Sequence, residues 1–306
     1  MAEIRKIAVV GAGSVGGYYG ARLTSQTEVS FLMRRDLEAV IDKGLQIHSI
    51  DGDLYLNPVR AFGDTESIGP VDLVIIAVKT TSNEDLPELV APLLQDSTRL
   101  LTLQNGLGSE EFLASRFPNR PILGGLCFVC INRGEPGIIH HLAAGRIEMG
   151  EYTETGSLES VASLFQSAQI DCRALPDLKL ARWRKLIWNI PFNGLSIAAG
   201  RIDTEEILSQ PRLERRARIL MQEVIETAAA QDLVISEDFA EANIEGTKKM
   251  GPYRPSSLID LENGSAVEIE SIWGEPLRQA QELGIKTPEL ESLYNEICDA
   301  VEARAC

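Results

Sequence analysis

The sequence predicts an α/β protein in which a doubly wound parallel sheet is followed by a helical domain. In the first half, short apolar runs alternate with polar, helix-like stretches, which is typical of parallel strands joined by crossover helices. Beyond Pro176, apolar residues recur at helical spacing and the strand pattern is lost. The chain of 306 residues is long enough for two domains, which we place at residues 1–176 and 177–306.

Each element follows from the spacing of its apolar residues. Strands are predicted at residues 5–10, 28–33, 44–49, 72–78, 99–103 and 121–130. Helices of the first domain are predicted at residues 14–26, 35–42, 84–94, 108–116 and 157–168. Residues 131–152, with Pro136-Gly137, Gly145 and Gly150, predict a hairpin whose strands are the runs 138–142 and 146–149. Helices of the second domain are predicted at residues 178–200, 204–209, 212–231, 237–248, 267–283 and 288–304, with Pro191 kinking the first.

A glycine motif directly follows the first strand and predicts a dinucleotide site. Gly11 allows the tight turn, Gly13 lets the backbone approach phosphates, and Gly16 lets the next helix pack closely on the strand. The helix start offers free N–H groups to a pyrophosphate. The cofactor-binding residues predicted here are Gly11, Gly13, Ser14, Val15 and Gly16. The alternative is a glycine-rich turn without a ligand.

The end of the second strand predicts which dinucleotide is bound. An NAD site usually carries an acidic residue at this point, whereas an NADP site carries a cation for the 2′-phosphate. Arg34 and Arg35 stand there, and Asp36 lies beyond them. A guanidinium binds phosphate through paired hydrogen bonds, so Arg34 favours NADPH/NADP+. A solvated pair of surface arginines is the alternative.

Composition excludes several classes of partner. The formal net charge of −16 argues against nucleic acid and anionic membranes, and no apolar run reaches the roughly 20 residues of a membrane helix. The N-terminus lacks a signal-peptide pattern. Five cysteines, an odd number, indicate reduced thiols, and we expect a cytoplasmic protein. We interpret Cys127 and Cys130 as ordinary buried cysteines, and we predict no metal site.

The sequence resembles the ketopantoate reductase (2-dehydropantoate 2-reductase) family over nearly its whole length. The motifs that carry the resemblance are GAGSVGGYYGARL near the start, VKT at 78–80, LQNGLG at 103–108, WRKLIWNIPFN at 183–193 and PSSLIDLENGSAVEIESIWG at 255–274. The resemblance implies a Rossmann domain plus a helical domain like that of 6-phosphogluconate dehydrogenase. The activity it implies is NADPH-dependent reduction of ketopantoate to pantoate, in pantothenate and coenzyme A biosynthesis.

The resemblance also implies a set of functional residues. Lys185 matches the general acid in the family's K-x-x-x-N-x-x-x-N pattern, and Glu268 matches a catalytic carboxylate that binds the substrate hydroxyl or holds the lysine. The substrate-binding residues implied are Asn105, Asn189, Asn193 and Ser256, and the cofactor contacts implied are Lys79, Asn105 and Glu268. The chain departs from the family at 267–270, which reads Val-Glu-Ile-Glu instead of Thr-Glu-Ile-Asp. It also departs at 255–257, where Pro-Ser-Ser precedes leucine instead of the usual Ser-Ser-Met.

Local sequence alone leaves simpler interpretations open at these positions. Glu268 on its own reads as a carboxylate on a helix surface. Ser256 follows a proline at a helix start, where its hydroxyl could cap the helix as well as contact substrate. Lys185 with the two asparagines could form a solvated helix face, and Lys79 and Asn105 could be ordinary loop residues.

The residues suit reduction of a 2-keto acid, which needs a hydride at C2 and a proton at the developing alkoxide. Lys185 can polarise the carbonyl and then donate the proton. Two alternatives remain: a reductase of the same fold acting on another 2-keto acid, and a non-catalytic NADP(H) sensor. The only partner expected is a small-molecule 2-keto acid, and a homodimer stays open because the sequence does not reveal the oligomeric state.

Overall fold

The structure is a computed structural model that describes residues 3–305 and divides into two compact units. The sheet unit runs up to Gln104 and continues over Ser109–Leu178. The helical unit starts at Lys179 and also includes the short segment Asn105–Gly108. That segment, which follows a strand of the sheet unit in the chain, packs as part of the helical unit.

Among the described residues, ten strands form one mixed sheet in the sheet unit. They are β1 (Lys6–Val10), β2 (Glu28–Leu32), β3 (Leu45–Ser49), β4 (Leu54–Leu56), β5 (Ala61–Phe62), β6 (Leu73–Ile76), β7 (Arg99–Thr102), β8 (Ile122–Arg133), β9 (Ile138–Glu151) and β10 (Cys172–Ala174). The order is β4-β3-β9-β8-β7-β6-β1-β2-β5, with β10 paired to β9. The pairs β3–β4 and β8–β9 are antiparallel and the others are parallel.

Helices cover both faces of the parallel part of the sheet, which confirms the predicted doubly wound fold. They are α1 (Ser14–Leu23), α2 (Leu37–Lys43), α3 (Leu86–Val90), α4 (Ser109–Arg116) and α5 (Leu158–Ser167). Successive β1 side chains point to opposite faces, so Ile7 and Val9 join one apolar core while Ala8 and Val10 join the other. The sheet is therefore buried on both faces, as its continuous apolar strands predict.

The short elements of the sheet unit differ from the prediction. The helix predicted at 84–94 is divided into α3 and two flanking 3₁₀ helices, because Pro87 and Pro92 have no N–H for a regular helix. The short strands β4, β5 and β10 were not predicted, since two or three residues carry no readable alternation.

The predicted division of this region into two strands at Gly145 is wrong. Residues 138–151 form one strand, β9, which pairs along its length with β8. Ala144 and Gly145 have φ of 62° and 120°, and the β8–β9 register shifts nearby, so this glycine marks a bulge instead of a turn. The reversal lies earlier, where the Gly134 N–H donates to the carbonyl oxygen of Ile138.

The helical unit confirms the second half of the predicted fold. Its helices are α6 (Leu178–Ala198), α7 (Thr204–Ser209), α8 (Pro211–Ala229), α9 (Glu237–Lys248), α10 (Ser256–Glu262), α11 (Glu275–Glu282) and α12 (Pro288–Ala305). A single apolar cluster, which includes the fully buried Trp183 and Trp273, forms its core. The helix predicted at 267–283 is instead a π-helical turn, Glu270–Gly274, followed by α11.

Within residues 3–305, no helix combines the length and the apolarity that crossing a bilayer requires. Cys127, Cys130, Cys172 and Cys298 are free thiols, and Cys306 lies outside the described residues.

Candidate functional site

The loop between β1 and α1 shows why each glycine stands where it does. Gly11 has φ of +96°, and a Cβ there would lie 2.6 Å from the backbone nitrogen of Val78. A Cβ on Gly16 would lie 2.3 Å from the carbonyl oxygen of Gly11, so only glycine lets α1 pack this closely. A Cβ on Gly13 would meet nothing within 4 Å. The backbone at Gly13 is therefore open to a close approach by a ligand.

The start of α1 offers backbone donors next to this open position. Gly13 is the N-cap and makes no side-chain cap hydrogen bond, and Ser14 and Val15 are half-buried. The first N–H groups of a helix have no carbonyl partner within the helix and carry its positive dipole end. Such a helix start binds phosphate through the backbone, without a basic side chain.

Charged residues gather where β2 ends. Arg34 and Arg35 are both exposed, so their guanidinium groups can reach a ligand without disturbing the core. Asp36 is buried, and its Oδ2 accepts from Nε of Arg133 on β8 at 3.0 Å. Sequence reasoning did not identify Arg133, because its partner lies 97 positions earlier in the chain.

Lys79 is half-buried just beyond β6 and is the N-cap residue of the 3₁₀ helix Thr80–Asp85. Gln104, just beyond the neighbouring strand β7, donates its side-chain amide to the Val78 carbonyl oxygen at 3.0 Å. The same amide donates to Oδ1 of Asn83 at 2.7 Å. These bonds join the carboxyl ends of two adjacent strands, which is the edge where open parallel sheets bind ligands.

Lys185 is held by a direct hydrogen bond within the helical unit. Its Nζ donates to Oδ1 of Asn105 at 2.9 Å, although the two residues are 80 positions apart in the chain. Lys185 and Asn105 are both half-buried. A bond with a charged donor is short and strong, so it restricts where the amine lies. Asn105 therefore has a side-chain partner on α6.

The segment that carries Asn105 is locked onto the π-helical turn. The Leu107 N–H donates to the carbonyl oxygen of Ser271 at 2.9 Å. That carbonyl is available because the N–H of Glu275 donates to Glu270 instead, and Pro276 has no N–H to offer. Gly106 has φ of +82°, and a Cβ there would lie 2.1 Å from the Ser271 oxygen. The Asn105 loop thus depends on a glycine and on a break in the helix.

The two asparagines of α6 are buried and have different surroundings. Asn189 is 8% exposed and Asn193 is 2% exposed, so the interpretation of a solvated helix face is wrong. Helix α6 continues through Pro191. Oδ1 of Asn193 accepts the Ser257 N–H at 3.0 Å and the Ser256 hydroxyl at 3.4 Å. Asn193 therefore caps the start of α10.

Ser256 is the first residue of α10 and is exposed. Pro255 is the N-cap, and no side-chain cap bond is made from that position. The interpretation of the Ser256 hydroxyl as the helix cap is thus wrong, because Asn193 supplies the acceptor. The hydroxyl stays at the surface of the unit, oriented by the same asparagine.

Glu268 is 9% exposed and lies immediately before the helical segment that contains the π-turn. The interpretation of a surface carboxylate is wrong, because the residue is buried. The carbonyl oxygen of Glu268 accepts the Ile272 N–H at 3.3 Å and the Ser271 hydroxyl at 3.4 Å. A carboxylate this buried needs polar partners, which makes it a functional candidate.

Sequence reasoning missed the role of Ser271 and Gly106. The available signals were Pro276, which interrupts a predicted helix, and the Asn105–Gly106 dipeptide, which is typical of a turn. Neither signal shows that the two segments meet.

A glycine loop with an open backbone position follows the first strand of a doubly wound sheet, and a helical unit of the same chain holds a half-buried lysine. This combination is typical of Rossmann-type oxidoreductases. Two family descriptions match the sequence: "Ketopantoate reductase PanE/ApbA" over residues 7–154 and "Ketopantoate reductase PanE/ApbA C terminal" over residues 177–300. The chain belongs to the ketopantoate reductase family.

Named relatives agree with this assignment. The chain is 40% identical over 301 residues to the 2-dehydropantoate 2-reductase of Nostoc sp., covering 96% of this chain and 94% of that protein. The crystal structure of 2-dehydropantoate 2-reductase from Geobacter metallireducens is 45% identical, with a TM-score of 0.93 and coverage of 96% and 99%. That of the Methylococcus capsulatus enzyme is 33% identical, with a TM-score of 0.89 and coverage of 98% and 97%.

Proposed function

We propose that the protein reduces ketopantoate to pantoate with NADPH as the hydride donor. The observation that carries the proposal is the hydrogen bond from Lys185 to Asn105 at 2.9 Å, which holds a cationic acid in a half-buried position. The relatives named above support ketopantoate as the keto acid. We assign cofactor binding to residues 1–176 and the acid and substrate groups to residues 177–306.

The residues of the glycine loop fit a dinucleotide. The absence of a Cβ at Gly13 and the helix start at Ser14, Val15 and Gly16 suit a pyrophosphate. Exposed Arg34 is our candidate for the 2′-phosphate, and Lys79 and Asn105 are candidates for the nicotinamide end. When bound, the reduced nicotinamide supplies the hydride for C2 of the keto acid.

Lys185 delivers the proton in this proposal. An ammonium has three N–H donors, and the bond to Asn105 orients the group. A second donor, directed at the substrate carbonyl oxygen, stabilises negative charge as it develops and then transfers the proton to the alkoxide. A non-catalytic sensor has no need of a positioned acid, so this bond argues against that alternative.

Three polar groups are our candidates for substrate recognition. Asn189 offers a buried amide, Ser256 an exposed hydroxyl and Glu268 a buried carboxylate for a substrate hydroxyl or for Lys185. Asn193 acts through Ser256, because its amide oxygen is committed to the start of α10. The four described free cysteines support a reducing compartment, the cytoplasm.

The experiment is a panel of 2-keto acids mixed with the full-length protein and NADPH, with the loss of reduced nicotinamide absorbance as the readout. We expect the highest kcat/KM with ketopantoate. Preference for a keto acid that lacks the 4-hydroxyl would identify a reductase of another substrate. Tight NADPH binding without turnover on any keto acid would favour the sensor.

A further inference from the structure

An ion pair between a buried aspartate and an exposed arginine stands at the end of β2, in the sheet unit. Asp36 precedes α2 and is 9% exposed, and Arg133 is the last residue of β8. Both Nε and Nη2 of Arg133 contact one carboxylate oxygen, Oδ2, with Nε at 3.0 Å. The arginine therefore pairs with the aspartate through Oδ2 alone and does not contact the second carboxylate oxygen.

The other oxygen, Oδ1 of Asp36, is buried and has no hydrogen-bond partner among the described residues. A buried carboxylate oxygen without a partner is costly, so it calls for an explanation. A small pocket is lined by Asp36 and Arg133 together with Gly13 and Met33. The unpartnered oxygen thus belongs to a pair that shares a pocket with the open glycine of the dinucleotide loop.

The position creates a conflict of charge. A carboxylate at the end of the second strand accepts a ribose hydroxyl, and its negative charge repels a 2′-phosphate. Arg34, two residues earlier, is the cation that would bind that phosphate. Without a compensating charge, Asp36 would therefore repel the phosphate that Arg34 binds. A neutralised Asp36 would remain a hydrogen-bond acceptor and would not repel that phosphate.

We propose that Arg133 is a specificity residue that neutralises Asp36, so that a nucleotide carrying a 2′-phosphate is accepted at the neighbouring Arg34. The inference rests on the proposed NADPH function and adds to it a residue outside the glycine loop. The guanidinium comes from β8, so nucleotide preference depends on the strand pair that carries it as well as on Arg34.

The test measures binding of two fragments by calorimetry, adenosine 2′,5′-bisphosphate and adenosine 5′-monophosphate. For Arg133→Gln we expect the Kd of the bisphosphate to rise about tenfold or more, with little change for the monophosphate. Adding Asp36→Asn to this variant should restore most of the bisphosphate affinity, because the unpaired charge is gone. The control is Arg173→Gln, which removes an equal charge from an exposed Arg–Asp pair of the same unit. It should leave the ratio of the two Kd values unchanged.

Equal weakening of both fragments in Arg133→Gln, or failure of Asp36→Asn to restore the bisphosphate, would overturn the inference. If Arg133→Gln does not fold, the single variant Asp36→Asn decides. It releases Arg133 from its partner, so the bisphosphate should bind more tightly relative to the monophosphate. An unchanged ratio of the two Kd values would refute the inference. Wild-type protein that binds neither fragment, or prefers the monophosphate, would instead sink the NADPH assignment together with the inference.

Discussion

The carbonyl oxygen of Ser271 accepts the backbone N–H of Leu107 at 2.9 Å, and this bond ties the Asn105 loop to the π-helical turn. A regular α-helix would use the carbonyl internally. The π-turn and Pro276 release it, so the irregularity has a definite structural consequence. Asn105 in turn accepts from Lys185, which links the backbone of the turn to the position of the proposed acid.

Gly106→Ala should therefore lower kcat and stability together. A Cβ at this position would lie 2.1 Å from the Ser271 oxygen, at a φ of +82°. Moving the loop displaces Asn105 and removes its oxygen as an acceptor for the Lys185 amine. Backbone strain of this kind costs about 1–3 kcal/mol. Steady-state kinetics and thermal unfolding measure the two effects.

Gly284→Ala is the matched control. Gly284 has φ of +72° in the same unit, but a Cβ there would meet nothing within 4 Å. This variant should lose about 1 kcal/mol of unfolding free energy, because alanine is strained in the left-handed backbone conformation, and its kcat should not change. A Gly106→Ala enzyme with the same modest loss and unchanged kcat would show that the loop does not position Asn105.

Lys185→Ala should lose most of its turnover and still bind NADPH. Removing a general acid costs roughly 100- to 10,000-fold in kcat, whereas the dinucleotide loop is untouched. Stopped-flow kinetics measures the turnover, and a fluorescence titration measures NADPH binding. Lys179→Ala, on the same helix and exposed, is the control for lost charge. Turnover like that of the wild type would eliminate Lys185 as the acid.

Arg34→Ala should weaken NADPH far more than NADH. A charge-assisted hydrogen bond to phosphate contributes about 1.5–3 kcal/mol to binding. NADH has no 2′-phosphate, so its binding does not depend on this hydrogen bond. The Kd of NADPH should thus rise roughly tenfold or more by titration. The control is Arg35→Ala, at the neighbouring exposed residue, for which we expect a smaller rise in the Kd of NADPH. Equal weakening of both dinucleotides by Arg34→Ala contradicts the assignment.

Glu268→Ala should raise KM for ketopantoate roughly 10- to 100-fold, as expected for loss of one charged hydrogen bond. Glu268 is 9% exposed, so the fold must be checked by circular dichroism and thermal unfolding. Glu268→Gln keeps the shape and removes the charge, which separates packing from electrostatics. An unchanged KM in both folded variants would remove Glu268 from the substrate site.

Stability should fall in acid partly through Glu151. Burial acts to raise the pKa of this carboxyl, but hydrogen bonds from the backbone N–H groups of Ser157, Gly156, Thr155 and Leu158 outweigh it and lower the pKa. A lowered pKa in the folded state gives stability that is complete above the ordinary glutamate pKa and is lost as pH falls below it.

Glu151→Gln should therefore flatten the acid limb of a plot of unfolding free energy against pH, between about pH 6 and 3. Denaturant unfolding at each pH supplies the data. Glu154→Gln, at an exposed position of the same turn, controls for the loss of one negative charge. An acid limb with the wild-type slope in Glu151→Gln would show that the carboxylate does not stabilise the turn.

Several parts of the structure follow from local rules that a sequence displays. Gly11 and Gly16 stand where any Cβ would clash, and their spacing after an apolar run predicted the loop. The apolar spacing from Leu178 to Ala198 predicted α6 and placed Lys185 on it. The failures are equally local: the bulge at Gly145 resembles a turn, because both need a positive φ.

The sequence by itself determined the doubly wound sheet, the glycine loop and the helical second half, since periodicity and backbone sterics act over a few residues. Tertiary structure alone decided that Asn105 reaches Lys185 across 80 positions and that Arg133 reaches Asp36 across 97. It also decided that Glu268 is buried and that Asn193 caps α10. Such pairings depend on how distant segments pack, and no local pattern records which polar groups will share the interior.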